Sequence, residues 1–451
     1  MSDQNPQNVG DNAPIPPHVL TPHARPLQPI PVSKDGQQFV ALRDPTMLVA
    51  QSMVVAPQAL GLIQLFQGEM SVDEMTEKFV PADKVPDAEQ RAKAMSQVRA
   101  ELVAMAQNMD KFGLLWGPTF EDYERQRAEK LAEAGAFPAH ATTALVGIAQ
   151  QENPSVGEPP EDAAERNAWI TRLSRQMIDK WLEDAEDPEL ETPVVGLVVP
   201  HLDYMRGAEV YASAYRAWSS SPAPDRVVIL GTNHFGAGDG IVASRYGFNT
   251  TLGKVRADEE VMSRLGEQLG DRLYKDELDL AAEHSIELHL PWLQKLFGDV
   301  PVVAALIPDP LVPMIADDGE RVSRDEFISA LRGILNDVGG TTYYISSADL
   351  SHVGPQFGEP KKVDDTRRLE VEQHDREMMT RFLDNDPGAF VEAMEWSKNP
   401  PRWCSIGNMS AIAELAGADE IELLDYRQAC DDEGSCLVSI ASMALTSVPK
   451  A

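Results

Sequence analysis

One stretch near the middle of the chain, residues 193–218, places a polar loop directly after a fully apolar strand. Residues 194–199 form a continuous apolar run without a charge, which is typical of a strand covered on both faces, as in a parallel sheet. Pro200 cannot donate to a strand ladder and is expected to end the strand. His201 follows in the loop, and residues 207–218 have the apolar spacing of a helix. Because ligands bind beside the carboxyl ends of strands in open α/β sheets, His201 is a candidate site residue.

Strand and helix patterns alternate after this stretch. Strands are predicted at 194–199, 227–230, 302–307, 343–346 and 421–425. Helices are predicted at 259–269, 285–296, 324–337, 363–383, 387–396 and 406–415. This alternation indicates an α/β domain over residues 193–449, with a mostly parallel sheet flanked by helices.

The part of the chain before residue 193 divides into three predicted segments. Residues 1–36 are rich in Pro, Asn and Gln and are expected to form a disordered tail. Residues 37–117 combine short apolar runs with a capping box at Ser71 and Glu74 and a helical stripe of apolar residues, and resemble the small winged-helix-like α+β fold of PqqD-type peptide-binding domains. Both a protein-contact module and a structural appendage are open interpretations. Residues 118–192 are acidic and are predicted to be a helical linker leading into the large domain.

Charge and cysteine content exclude several classes of function. The chain of 451 residues has 39 basic and 72 acidic residues, for a net charge of −33, which disfavours binding to nucleic acid or to an anionic membrane. Three cysteines are too few for a disulfide framework and are typical of a reducing cytoplasm. No signal peptide is recognised. The uncharged run 46–68 contains Pro57 and three glutamines, and is better interpreted as a strand and a helix than as a membrane span.

Four of the nine histidines occupy comparable places in the pattern. His201, His234 and His352 each follow a predicted strand, and His284 lies where a helix is expected to begin. Histidines delivered to one edge of a sheet provide the neutral imidazoles that a divalent transition metal needs. A nearby carboxylate can hold the other ring nitrogen of each, and the candidates for this role are Asp203, Asp349 and Glu283. The alternative for each is a loop histidine that is hydrogen-bonded to the backbone.

Cys404 differs from the other two cysteines in its surroundings. It lies in a turn of small residues that leads into a predicted apolar helix, where a thiolate would be stabilised by the helix N-terminus. Cys430 and Cys436 instead flank an acidic turn that opposes thiolate formation. Cys404 is therefore the candidate for a chemically active cysteine.

Taken together, these motifs resemble the Memo family, whose prokaryotic members are called AmmeMemoRadiSam system protein B and which is related to the class III extradiol dioxygenases. The similarity covers residues 137–447, and the motifs follow one another in the order of the family. They are Phe137-Pro-Ala-His140-Ala141, Val199-Pro-His201-Leu-Asp203-Tyr204, Ile229-Leu-Gly-Thr-Asn-His234, Thr251-Leu-Gly253, Glu283-His284-Ser-Ile-Glu287, Ser346-Ser-Ala-Asp349-Leu-Ser-His352, Cys404-Ser-Ile-Gly407 and Val438–Leu445.

The resemblance implies a metal site with two histidines and one cysteine, which correspond here to His201, His234 and Cys404. The other predicted site residues, with expected catalytic roles in the same pocket, are His352, Asp349, His284 and Glu283. Mixed imidazole and thiolate ligation suits iron or copper, with zinc as a further option. The resemblance also implies a radical-SAM protein and an AMMECR-like protein as partners.

Three functions are compatible with these features. The first is a redox or oxygenase-like enzyme with a non-haem metal site, in which His352 or His284 transfers protons. The second is an adaptor or scaffold that binds a small molecule, a peptide or a partner protein in the same cleft. The third is a hydrolase with Cys404 as its nucleophile, although no oxyanion-hole motif accompanies this cysteine.

Overall fold

The computed structural model describes residues 14–34, 36–236, 240–312 and 319–448. The chain divides into two compact units, Met1–Lys130 and Leu131–Ala451. The predicted tail over residues 1–36 lies outside the described residues up to residue 13, but residues 14–34 contain a helix and a strand. Val19 in that helix is buried in the core of the first unit, which gives this part of the chain a defined place. Residue 449, the predicted end of the large domain, also lies outside the described residues.

The first unit contains an antiparallel sheet, ordered β1-β2-β3 in the described residues, together with several helices. Its elements are α1 (Pro17–Leu20), β1 (Gln28–Lys34), β2 (Gln37–Arg43), β3 (Met53–Val55), α2 (Leu60–Ile63), α3 (Val72–Phe79) and α4 (Ala88–Lys111), and α5 (Pro118–Ala134) continues into the second unit. The predicted capping box is present, because Ser71 and Glu74 bond each other's backbone N–H at the start of α3. Leu102 and Met109 on α4 are fully buried, as expected for a core-facing stripe.

The second unit contains the alternating pattern of strands and helices. Its strands are β4 (Ala136–Phe137), β5 (Val194–Val199), β6 (Arg226–Gly231), β7 (Val242–Ala243), β8 (Gly247–Thr250), β9 (Gly253–Val255), β10 (Val302–Leu306), β11 (Thr342–Ser347), β12 (Asp349–Val353), β13 (Glu420–Cys430) and β14 (Leu437–Thr446). Its helices are α6 (Ala144–Glu152), α7 (Ala163–Asp184), α8 (Tyr204–Arg216), α9 (Glu259–Leu269), α10 (Leu290–Phe297), α11 (Arg324–Val338), α12 (Asp365–Leu383), α13 (Pro387–Ser397) and α14 (Ile406–Ala416). A 3₁₀ turn, Glu287–His289, precedes α10, where the sequence predicts one continuous helix.

Within the described residues, the main sheet has eight strands and is mixed rather than mostly parallel. Its centre, in the order β5-β11-β6-β10, is parallel as predicted. Towards one edge, β14 pairs antiparallel with β5 and also with β12 and β13, and towards the other edge β7 pairs antiparallel with β10. The expectation of a mostly parallel sheet was wrong at these edges, because β13 and β14 form a long hairpin closed by the turn that follows Cys430.

Both faces of the central strands are buried, which explains their continuous apolar sequences. In β6, Val228 and Leu230 belong to one hydrophobic core, whereas Val227 and Ile229 belong to the core on the opposite face. Successive side chains of a strand point to opposite faces, so a strand between two helical layers needs apolar residues at every position.

The strand that carries His352 differs from the prediction. The sequence places this histidine after the end of one strand, but β11 ends at Ser347 and a separate strand, β12, begins at Asp349. Ala348 lies between the two strands, and its N–H donates to the carbonyl of Val199. His352 therefore lies within an edge strand that pairs with β14.

Two further observations concern the possible membrane span and the three cysteines. Among the described residues, every helix is too short or too polar to cross a lipid bilayer. Cys404, Cys430 and Cys436 are all free thiols.

Candidate metal centre

Two parallel strands and one turn bring histidines to the same edge of the sheet. His201 follows β5 and His234 follows β6, while His284 lies in the segment that precedes α10. The segments of His234 and His284 pack closely at Gly231, where a Cβ atom would lie 2.4 Å from the hydroxyl of Ser285. The absence of a side chain at Gly231 allows the two histidine segments to approach each other this closely.

The rings of His201, His234 and His284 form a cluster. Their centroids are separated by 4.8 Å between His201 and His234, 4.9 Å between His234 and His284, and 5.5 Å between His201 and His284. One nitrogen of each ring lies within 4.8 Å of the others, and within the described residues this is the group of side chains that could hold a metal ion. The sequence predicted His201 and His234 as ligands and His284 as a residue of the same pocket.

Polar side chains lie beside the Nδ1 atoms of all three rings. Nδ1 of His201 is 3.1 Å from the hydroxyl of Ser347, and Nδ1 of His234 is 3.1 Å from the carboxylate of Glu283. The same carboxylate is 3.3 Å from Nδ1 of His284. A ring that is held at Nδ1 has its Nε2 atom left to bind an ion, which is the role that the sequence predicts for a carboxylate such as Glu283.

Cys404 lies beside this cluster. Its sulfur is 3.5 Å from Nε2 of His201 and 3.2 Å from the hydroxyl of Ser405. The turn that carries it packs tightly, because a Cβ atom on Gly407 would lie 2.3 Å from the carbonyl oxygen of Pro308. The small residue at 407 therefore permits the approach that places the thiol near His201.

The two predicted aspartates have different surroundings. Asp349 is buried and its Oδ1 accepts hydrogen bonds from the backbone N–H groups of His201 and Leu202, at 2.8 Å and 3.0 Å. It positions the loop after β5 through the backbone. Asp203 was predicted to hold a histidine ring, but it is exposed and pairs with Arg206 at 2.7 Å, so this prediction was wrong.

A cavity of about 390 Å³ opens over the histidines. His352 lines it, and its Nδ1 donates to the carbonyl of Leu350 at 3.0 Å, which leaves Nε2 as an acceptor. Arg206 and Phe357 also line this cavity. The other lining residues are Ala141, Ala144, His201, Leu202, Asp203, Tyr204, His234, His284, Leu288, Asp349 and Val438.

Comparison with known proteins identifies the family of the second unit. The profile of the Memo-like protein family matches residues 170–445, which is more than half of the chain and contains the whole histidine cluster. The chain belongs to the Memo family. Its relatives include a MEMO1 family protein of Aquifex aeolicus, 26% identical over 74% of this chain and 76% of the relative.

Two further relatives match smaller shares of this chain. A MEMO1 family protein of Methanopyrus kandleri is 29% identical over 61% of this chain and 89% of its own length. A MEMO1 family protein of Methanococcoides burtonii is 30% identical over 54% of this chain and 83% of its own length. The predicted family is thereby confirmed, and residues 1–169 lie outside the family profile.

The electrostatics of this Memo-family site favour a cation. Burial and the neighbouring histidines hold the pKa of His201 well below its usual value, and burial lowers the pKa of His284 to about 4, so both rings are neutral donors at neutral pH. Burial would raise the pKa of Glu283, but its hydrogen bond to His234 and the charges of the histidines lower it to about 2. Burial would lower the pKa of His234, but its hydrogen bonds to Cys404 and Glu283 raise it well above its usual value, so this ring holds a proton that a bound cation would displace. The permanent carboxylate of Glu283 behind the rings suits a divalent ion in front of them.

Burial also shifts the pKa values of two predicted catalytic residues that line the cavity, Asp349 and His352. Burial raises the pKa of Asp349 to about 7, so this carboxyl exchanges its proton near neutral pH. Burial lowers the pKa of His352 to about 4, so its ring is neutral. These two groups can therefore accept or release a proton at the wall of the cavity.

Two structural residues of the Memo site were not predicted. Ser347 holds the ring of His201, and Glu287 accepts hydrogen bonds from the backbone N–H groups of His140, Ala141 and Thr142 at 2.9–3.1 Å. Glu287 thereby fixes the segment that forms one wall of the cavity. Its position four residues after Glu283 in the quoted motif is the signal that could have identified it.

Proposed function

We propose that this protein binds one redox-active transition-metal ion, iron or copper, through His201, His234 and Cys404, with His284 as a further ligand, and acts as an oxidoreductase. The observation that supports this proposal is the convergence of three imidazoles, from separate segments of the chain, with one nitrogen of each ring within 4.8 Å of the others. Three imidazoles together with a thiol 3.5 Å from one of them form a donor set that iron, copper and zinc accept.

In this proposal each residue has one task. The bound ion would supply one-electron transfer or oxygen activation. Glu283 orients His234 and His284, and Ser347 orients His201. Asp349 and His352 hold or accept protons at the cavity wall, which is the catalytic role that we assign to them.

The related class III extradiol dioxygenases suggest an oxygenase-like reaction, but such enzymes use two histidines and a carboxylate as ligands. Here Cys404 takes the place of that carboxylate, so we propose electron transfer or oxygen activation on a substrate other than a simple catechol. A related fold by itself does not determine the reaction.

Metal analysis is the first test. Protein purified without oxygen should contain about one iron or copper ion per chain. His201→Ala and His234→Ala should each lose most of this metal while remaining folded by circular dichroism. His374→Ala, a histidine on α12 outside the cluster, is the matched control and should keep its metal. Full metal content in both cluster variants would rule out these ligands.

The role of Cys404 needs its own measurement. Metal-free protein loaded with Co²⁺ should show a thiolate-to-cobalt charge-transfer band, which Cys404→Ser should remove and Cys430→Ser should preserve. His284→Ala should keep this band with an altered d–d spectrum if the fourth ligand is lost. A spectrum without the charge-transfer band in the wild type would restrict the site to the three histidines.

The adaptor function is the alternative for the same cleft. In it, the first unit, with the winged-helix-like fold that the sequence predicts for residues 37–117, contributes a second contact surface for a peptide or for the predicted radical-SAM and AMMECR-like partners. Deleting residues 37–117 should then abolish capture of these partners and leave the metal content intact. If Cys404 were a hydrolytic nucleophile instead, its alkylation would stop turnover of the metal-free protein.

A further inference from the structure

A second cavity, of about 580 Å³, lies beside the metal centre in the same unit. The segment 139–144 separates the two, since Ala139 and Thr143 line the second cavity whereas Ala141 and Ala144 line the histidine cavity. The other residues that line the second cavity are Val146, Gln150, Pro159, Arg166, Asn167, Trp169, Ile170, Thr171, Thr250, Thr251 and Gly253. It is therefore a site of its own, formed by α6, α7 and the β8–β9 hairpin.

Hydrogen bonds hold the walls of this cavity in place without a ligand. The segment 139–144 is fixed by Glu287, as described above. Trp169 Nε1 donates to the carbonyl of Val156 at 3.3 Å, and the Thr171 hydroxyl donates to the carbonyl of Thr251 at 2.9 Å. A preformed cavity of this size, with largely apolar walls and a few polar groups, is typical of small-molecule sites.

The charge of the lining differs from that of the whole chain. The chain carries 72 acidic residues, yet the residues that line this cavity include no Asp or Glu and one cation, Arg166. Arg166 is exposed to solvent and forms no salt bridge in the described part of the chain. An exposed guanidinium next to apolar lining residues can pair with an anion that has an apolar body, because a carboxylate or sulfonate can accept two of its N–H bonds.

Thr251 is a buried polar residue of the same wall. Thr251 is 7% exposed, and its hydroxyl has no hydrogen-bond partner within the described residues. Burying a hydroxyl without a partner costs free energy, but this atom is closed to solvent and therefore does not face the open cavity. Thr251 belongs to the Thr251-Leu-Gly253 motif, to which the metal centre assigns no role.

We propose that this cavity binds a small organic anion, a carboxylate or sulfonate with an aromatic or branched apolar body. Its anionic group pairs with Arg166, and its body packs against Trp169, Ile170 and Val146. The proposal does not depend on the metal or on the reaction at the histidine cluster.

Two fluorescent probes test it on the full chain. The anion 8-anilinonaphthalene-1-sulfonate should bind with one site per chain, and the uncharged N-phenyl-1-naphthylamine should bind more weakly at the same site. Arg166→Gln should weaken binding of the anion by about tenfold, the loss expected for a charged hydrogen bond, and leave binding of the neutral probe unchanged. Arg172→Gln, also on α7 but outside the cavity lining, is the matched control and should bind both probes like the wild type.

A larger side chain that fills the cavity is the second part of the test. Val146→Phe should abolish binding of both probes, whereas Val146→Ala should retain it. The metal content of every variant is measured in parallel, so that loss of this site can be distinguished from loss of the metal centre. Unchanged binding of the anion in both Arg166→Gln and Val146→Phe would overturn the proposal, as would equal loss in Arg172→Gln.

Discussion

The histidine cluster and the aromatic layer next to it both bury imidazoles, but only one of them has the arrangement of a metal site. The aromatic layer consists of Tyr204, Tyr211, Tyr215, His289 and Trp292. His289 is buried there between tyrosine rings, with its Nδ1 3.0 Å from the hydroxyl of Tyr215. His284 lies five residues earlier in the chain and faces two other imidazoles instead.

This difference shows that burial of a histidine does not by itself indicate a ligand. Burial lowers the pKa of His289 to about 3 and that of His284 to about 4, so both rings are neutral at pH 7. What separates them is the number of donors that converge on a common point and the carboxylate behind them. The aromatic layer is therefore expected to determine stability, and the cluster to determine metal binding.

The largest expected effect separates stability from metal binding. Trp292 is fully buried and stacks on Tyr215 with a centroid distance of 5.2 Å, so Trp292→Ala should lower the free energy of unfolding by about 3–5 kcal/mol. Urea unfolding of metal-free protein measures this. Trp396→Ala, at a tryptophan that is 90% exposed, is the control and should change stability by less than about 0.5 kcal/mol. Equal effects of the two changes would contradict the assigned role of the layer.

The next effect is on the metal centre. Glu283→Gln removes the carboxylate that orients His234 and His284, and should weaken Co²⁺ binding by about 10–100-fold. Competition with a chromophoric chelator measures this affinity. Glu277→Gln changes another buried carboxylate, which bonds Ser244 and has no contact with the cluster, and should bind Co²⁺ like the wild type. An unaltered affinity in Glu283→Gln would show that the ring orientations do not depend on it.

The third effect concerns pH and His289. Since the pKa of this histidine is about 3 in the folded protein and about 6.5 in the unfolded chain, the unfolded state binds more protons between these values. Its contribution to stability is therefore present above pH 6.5 and is lost as the pH falls towards 3, by up to about 1.4 kcal/mol per pH unit. In His289→Gln, the decrease in unfolding free energy below pH 6.5 should be less steep. Parallel curves for the two proteins would refute this assignment.

The smallest effect tests the hydrogen bond within the aromatic layer. Tyr215→Phe removes the hydroxyl that bonds His289 and should lower the free energy of unfolding by about 1 kcal/mol. The Co²⁺ affinity should not change, because neither residue is part of the cluster. A loss of Co²⁺ affinity would mean that the two regions are coupled.

Much of the second unit could be predicted from the sequence, because local patterns determine it. The strand Val194–Val199 and the helix Glu259–Leu269 have the predicted bounds. The antiparallel edges were not predicted, because β7, β12 and β14 were absent from the predicted strands; β14 is fully buried and lacks the alternation of polar and apolar residues that indicates a strand. The ordered segment 14–34 was missed as well, since its strand is stabilised by pairing with β2 rather than by its own composition.

For the candidate site, the sequence by itself predicted the edge of the sheet at which His201 and His234 lie, since both follow apolar strands. Only the tertiary structure decided which candidate side chains lie in contact and which groups orient them. It brought His284 into the cluster, gave Ser347 the place expected for a carboxylate at His201 and turned Asp203 outwards to Arg206. The physical reason is that a strand pattern specifies which face of the sheet a side chain points to and at which end of the strand it lies. Distances between separate segments depend instead on how those segments pack.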